Sequence, residues 1–264
     1  MTEPAKVEAI YRYPVKGLSP EPLSRTQLEP GRTVPFDRMY AIENGPSGFD
    51  PSAPAYMPKV RFLMLMRNAR LATLRTHLDE TTHELSVNWE RREAARGDLR
   101  TPEGRAAIES FFSEFSADEL RGPPKILAAP GHSFSDVAKK VVSIINLASV
   151  AELENACGAP VHPLRFRGNL HVNGWLAWHE FDLLGRTLAI GAQAKLKVVK
   201  RIVRCAATEV DLDTGIRDLP VPKTIMETYG HADCGVYAEV IEGGPIAPGD
   251  EIAVLSQITD RSSP

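Results

Sequence analysis

Apolar and polar positions alternate over residues 6–15, KVEAIYRYPV, among β-branched and aromatic types. This pattern predicts a strand that Pro14 ends or places at a sheet edge. Residues 36–43, FDRMYAIE, predict a second strand. Residues 44–59 carry four prolines and two glycines, so they read as loop. Residues 61–79 and 83–89 predict paired strands around a turn at 79–82, and residues 1–98 together read as an antiparallel sheet or barrel. The period then changes. Thr101-Pro102-Glu103 opens a helix with a capping residue and a first-turn proline. Ile108, Phe111, Phe112 and Phe115 recur on one face of it, a core face by its spacing. Gly122-Pro123-Pro124 ends it. Ser149 and Glu152 fit a capping box for a second helix, Gly158 fits its C-terminal cap, and Val150, Leu153 and Cys157 share its inner face. Residues 187–205 form two strand-like runs around Gly191. Residues 223–229 predict a short helix ended by Gly230, followed by strands at 236–241 and 251–255. The expected division is an N-terminal β region over 1–120, a second domain over 121–260 and a tail at 261–264, with a frayed end from residue 256.

Composition narrows the class. The chain has 264 residues and a formal net charge of −3, so no global basic field points to nucleic acid or to a membrane surface. A chain of this length can bury a core without disulfides. Three widely spaced cysteines, Cys157, Cys205 and Cys234, argue for a reducing compartment, and they are too few for a four-cysteine iron–sulfur cluster. The N-terminus has no apolar stretch of signal-peptide type, and no apolar run approaches the ~20 residues of a membrane span. A cytoplasmic location is the expectation. The seven histidines do not cluster at metal-ligand spacing; His132 reads as a surface histidine.

The candidate chemistry centres on Cys205. It follows the basic apolar run VVKRIVR and is flanked in sequence by Lys200, Arg201 and Arg204. Nearby cations favour thiolate, the form that attacks or binds metal. The acidic turn Asp211–Gly215 that follows fails as a calcium loop, because Pro222 stands where an EF-hand needs glutamate. It is read instead as a turn closed by aspartate side chains. Cys157 and Cys234 read as packing residues. From its own surroundings Lys16 is an ordinary solvated loop lysine, and Arg167 an ordinary loop–strand arginine.

The run Arg204-Cys205-x-x-Thr208-x-Val210-Asp211-x-Asp213-Thr214-Gly215, with Gly235-Val236-Tyr237 and Gly249-Asp250 after it, resembles the MOSC family. That family takes its name from the C-terminal domain of molybdenum cofactor sulfurases. Tyr13-Pro14-Val15-Lys16, Asp37-Arg38, the loop at 130–137 and Phe166-Arg167-Gly168-Asn169 resemble its other segments, the amidoxime-reducing components and bacterial N-hydroxylate reductases in particular. The resemblance implies a mostly β, α+β fold with several helices, an N-terminal antiparallel β region packed on a MOSC-type β-barrel. It implies Cys205 as a molybdenum ligand. It implies cofactor contacts at Lys16, Arg38, Ser135, Asp136, Arg167 and Asn169, the arginines suiting a phosphate and the asparagine a pterin edge. Where relatives carry serine after the lysine this chain has Gly17, which leaves Ser19 to supply a hydroxyl.

Two functions follow from that resemblance. One is an oxidoreductase that reduces N-hydroxylated or N-oxide small molecules on a pyranopterin–molybdenum cofactor, with electrons from a separate electron-transfer protein. The other is a carrier or sulfur-relay module that uses Cys205 as a persulfide or acceptor and serves a cofactor donor or acceptor enzyme. Pyridoxal phosphate and iron–sulfur chemistry are not expected within the chain.

Overall fold

The computed structural model describes residues 4–255. These residues are mostly β, with three α-helices among them. Among the described residues, no helix is long and apolar enough to cross a membrane.

The alternating N-terminal run forms β1 (Lys6–Arg12). It stops before Pro14, as a residue without an amide donor dictates. β2 (Glu21–Leu23) pairs with it, and β3 (Thr26–Leu28) follows. The predicted strand at 36–43 shrinks to β4 (Ala41–Asn44). Phe36 and Arg38 both take positive φ, which breaks the extended run and turns Arg38 away from any ladder. The predicted strand at 61–79 is also mostly absent. Lys59–Arg61 and Ala69–Thr73 are 3-10 turns, and only β5 (Arg75–Leu78) is extended. The apolar run at 62–65 is buried loop. A short apolar run signals burial without saying which backbone carries it. β5 does pair with β6 (Glu84–Trp89), and Asp79 closes the turn by accepting from the amides of Thr81 and Thr82. β7 (Arg92–Asp98), mostly exposed and charged, adds a strand that the alternation did not reveal.

Helix α1 (Pro102–Phe115) starts as its cap predicts, with Thr101 accepting from Gly104 N at 3.0 Å. Ile108, Phe112 and Phe115 are buried against Leu74, Leu78, Leu85 and Val87 in the N-terminal core. After it come β8 (Pro124–Leu127), β9 (Val142–Asn146) and helix α2 (Leu147–Cys157). The cap of α2 is Asn146, not Ser149. Asn146 Oδ1 accepts from Ala148 N, while the Ser149 hydroxyl donates to the fully buried Glu180 carboxylate. Gly158 ends the helix at φ 66°, as expected of a left-handed cap. Cys157 is half-buried at the edge of the cluster built by Val150 and Leu153. The remaining elements are β10 (Leu170–Asn173), β11 (Thr187–Ile190), β12 (Ala194–Val203), α3 (Val221–Tyr229), β13 (Asp233–Glu242), β14 (Gly244–Ile246) and β15 (Ile252–Leu255). The expected frayed end and tail lie outside the described residues.

Eight strands make one sheet in the order β15-β11-β12-β13-β9-β10-β1-β2. It curls strongly. Ile252 N donates to Ala5 O and Val7 N to Asp250 O, so the β15 end comes round to β1. The inner face is filled by Val7, Ile144, Leu170, Leu196, Val198, Val236 and their neighbours. The N-terminal third is stitched to the rest by strand pairing: β1 to β10, β4 to β8 and β3 to β14. The ends of β1, β9, β10, β12 and β13 are thereby brought to one side.

One buried group in this sheet makes the fold sensitive to acid. His171 on β10 is 4% exposed, packs on Tyr11, and its Nε2 has no hydrogen-bond partner among the described residues. Burial, with a smaller push from His162, drives its pKa down from 6.5 to about 4. The unfolded chain therefore binds the extra proton first. Stability from neutral His171 is complete above pH 6.5 and is lost as pH falls towards 4. Over that window wild type should lose up to ~1.4 kcal/mol per pH unit more than a His171→Leu variant. Urea unfolding of both proteins at pH 7, 6 and 5 checks this; parallel curves would refute it.

Candidate functional site

Seven side chains singled out by sequence meet in one place. Lys16, Arg38, Ser135, Asp136, Arg167, Asn169 and Cys205 all line a cleft of about 280 Å³ between the N-terminal region and the curled sheet.

Cys205 lies just past the end of β12, in extended backbone, and opens a 3-10 turn over Ala206–Glu209. Its carbonyl accepts from the amide and hydroxyl of Thr208, so the threonine of the motif holds the cysteine's loop. Arg165, 4% exposed, braces the segment from beneath. It forks onto both oxygens of Asp218 at 2.7 Å and donates to Glu209 O. Asp211 closes the following turn by accepting from Asp213 N, Thr214 N and the Thr214 hydroxyl, the role expected of it. Arg217 donates to the carbonyls of Leu65 and Met66 across the cleft. The thiol is thus held on backbone that is tied at several points.

Its cationic neighbour is not one of the three that flank it in sequence. Arg204 turns inward and donates to Cys234 O and Phe166 O. Arg201 stacks over Phe181 at 4.2 Å. The contact comes instead from Lys59, whose Nζ is 3.2 Å from Cys205 Sγ and 3.7 Å from Asp136 Oδ2. Lys59 ends the proline-rich loop, and a lone lysine there carries no sequence signal. Burial works against its charge, but Asp136 and Cys205 outweigh it and raise its pKa. Tyr237, part of the recognised motif, also lines the cleft, and burial raises its phenol.

Lys16 is buried, not solvated. Its Nζ donates to Phe134 O at 2.8 Å and ion-pairs with Asp136. Burial lowers its pKa, and Asp136 opposes that fall. Asp136 itself is crowded by the cleft wall, which disfavours its charge, yet Lys16 and Lys59 hold its carboxyl well below the usual range. It acts here as a hinge between two lysines. Arg38 is pulled down by burial, and its neighbour Asp37 reverses this and leaves it raised. Arg167 is lowered to about 10, by burial first. Its Nη1 donates to Leu18 O, while its Nη2 is shielded from solvent without a partner among the described residues. An unpartnered buried donor asks for an acceptor from outside the protein.

Three expectations change. Asn169 lines the cleft, but its amide is taken up by the scaffold: Oδ1 accepts from Ser143 N and Oγ, and Nδ2 donates to Tyr11 O. It orients the Arg167 loop rather than offering both a free donor and a free acceptor to a ligand. Ser19 does not replace a serine at 17, because its hydroxyl is bonded to Leu74 O and Thr76 N. Glycine at 17 has a local cause: φ is +84°, and a Cβ would stand 2.8 Å from Leu63 O. His132 is half-buried between Phe49 and Phe134, not on open surface. Cys234 does pack as expected; it is fully buried, and burial pushes its thiol up to about 12.

The net charge of the chain is −3, yet the cleft is strongly basic. Lys16, Arg38, Lys59, Arg165, Arg167, Lys200, Arg201 and Arg204 line it against Asp37 and Asp136. Among the described residues no group of three or more His, Cys, Asp or Glu converges on a metal position. A metal here would have to bring most of its ligands with it. One thiol beside an ammonium, with a cationic wall holding an orphaned guanidinium donor, fits an anionic metal complex that carries a phosphate.

Comparison with known proteins agrees in family and is otherwise sparse. Residues 4–121 match the MOSC N-terminal beta barrel domain, and residues 129–253 match the MOSC domain. No curated protein matches the chain. Among solved structures it is similar to the YUAD protein from Bacillus subtilis, at 13% identity and a TM-score of 0.47 over 95% of this chain and 94% of that one. It is also similar to YiiM from Geobacillus stearothermophilus, at 22% identity and a TM-score of 0.35 over 45% of this chain and 56% of that one. With its two parts matched in order, the chain belongs to the MOSC domain family, which is associated with molybdenum cofactor binding.

Proposed function

We propose that the protein binds a pyranopterin–molybdenum cofactor and reduces N-hydroxylated or N-oxide small molecules. The observation that carries this reading is the meeting of Cys205, paired to Lys59, with the cations Lys16, Arg38 and Arg167 in one cleft. A soft thiolate suits a metal–sulfur centre. When bound, the cofactor would supply the redox chemistry of oxygen-atom transfer. The protein's part is to hold, orient and shield. Cys205 gives the metal a protein ligand, and Lys59 and Thr208 hold that ligand in place. Lys16, Arg38 and Arg167 offer charge to the phosphate, Arg167 through its free Nη2. Asp136 keeps Lys16 and Lys59 charged and in register. Tyr237 and Met66 line the cleft alongside Cys205.

Electrons must reach the site from a separate electron-transfer protein. Supplied with reduced viologen, cofactor-loaded protein should turn over N-hydroxylated amidines or N-oxides. A protein that passes the cofactor to an apo-enzyme but reduces none of these substrates is a carrier, and the reductase reading then fails.

A further inference from the structure

Arg38 and Arg167 come from segments 129 residues apart, yet they stack on the same ring. The Arg38 guanidinium carbon lies 4.5 Å from the Tyr13 ring centroid, and that of Arg167 lies 4.2 Å from it. Arg38 Nη2 also donates to Arg167 O at 2.9 Å. Both arginines adopt left-handed backbone, φ 51° and 52°. Such conformations are unfavourable for a residue with a side chain and persist where the surroundings enforce them. Tyr13 is fully buried, and its hydroxyl is 3.5 Å from Gly168 O, at the outer limit of a hydrogen bond. Burial first, against the pull of both arginines, pushes its phenol up to about 12. The neutral ring therefore offers its π faces to the two cations, not a phenolate charge.

Two guanidiniums this close repel each other unless something between or beyond them compensates. Asp37 pairs with Arg38. Among the described residues Arg167 makes no ion pair with a carboxylate, and its Nη2 is left over. We propose that Tyr13 is a positioning residue, a stacking platform that holds Arg38 and Arg167 together as a two-guanidinium cradle for a phosphate monoester dianion. This rests on the proposed function only for the identity of the phosphate carrier; the cradle itself is a property of the free protein. The ring's role is shape and π charge. The hydroxyl contributes little, because its one contact is long.

Inorganic phosphate is the probe, followed by calorimetry and by its effect on the thermal midpoint of cofactor-free protein. Wild type should bind it. Tyr13→Phe keeps the ring and should stay within about twofold of wild type, whereas Tyr13→Leu should bind at least roughly tenfold more weakly. Tyr13→Leu must keep a cooperative unfolding transition without phosphate for the comparison to count. Where it does not, pentafluorophenylalanine at 13 keeps the ring's outline and reverses its π charge, and it should weaken binding as the leucine does. Wild-type phosphate affinity in folded Tyr13→Leu or in the fluorinated protein would overturn the platform role. So would a wild type that binds no phosphate. Phosphate binding in a protein that never retains molybdenum would leave the cradle standing and sink the function proposed above.

Discussion

Cys205→Ala protein, purified from a host that makes the cofactor, will carry roughly a tenth or less of the molybdenum of wild type, whereas Cys157→Ala will carry the wild-type amount. The geometry separates the three thiols. Cys205 alone lines the cleft, with an ammonium 3.2 Å from its sulfur. Cys157 sits on α2 against a different apolar cluster. Cys234 is fully buried and held as a neutral thiol. On the proposed reading, retention of a phosphate-bearing complex would also draw on Lys16, Arg38 and Arg167, so loss of the thiol would remove the metal's anchor and leave the anion contacts. Elemental analysis of the purified proteins reads the result. Equal metal in the two variants would defeat Cys205 as the ligand. Metal missing from all three proteins, wild type included, would defeat stable cofactor binding and move attention to persulfide chemistry at Cys205.

The second large effect concerns Gly168, which stands between the two site residues Arg167 and Asn169. A Cβ there would meet Ile145 Cγ1 at 2.2 Å, and Ile145 is fully buried in the α2–α3 cluster. The neighbour cannot step aside without disturbing β9. Gly168→Ala should therefore cost about 2–3 kcal/mol by overpacking. For a chain of this size that is a fall in Tm of roughly 5–10 °C. Removing the obstructing atoms tests the cause. In an Ile145→Ala background the further cost of Gly168→Ala should drop to roughly 1 kcal/mol or less, because neighbouring changes with a shared clash are not additive. The same cost in both backgrounds would show that the collision is not its source. The packing of Ile145 leaves no room at position 168 even for a methyl group.

Much of the architecture was legible where a local rule has a local cause. The alternation of β1, the cap and inner face of α1, the Asp79 and Asp211 turns, and the glycine ends of α2 and α3 all depend on residues within a few positions of each other. The rule failed where tertiary burial replaced it. The run at 62–65 is apolar because it is buried, Leu63 and Leu65 in the N-terminal core and Phe62 against Phe134, and nothing in its spacing says that the backbone is not a strand. Ser149 looked like a cap; it is instead a donor to Glu180, a carboxylate 31 positions away that also accepts from Asn146 and Gly235.

The site divides in the same way. Residue types and motif spacing by themselves singled out one cysteine of three as the candidate and predicted that Asp211 closes the turn after it; the family resemblance added Lys16, Arg38 and Arg167, which line the same cleft. Only the tertiary structure decided which cation touches the sulfur, that the Asn169 amide belongs to the scaffold, and that Arg38 and Arg167 share the Tyr13 ring. The physical reason is range. Capping, alternation and turn closure act over a few residues, so they leave a mark on neighbouring letters. A contact such as Lys59–Cys205, separated by 146 positions, is made only when distant segments pack together, and it leaves none.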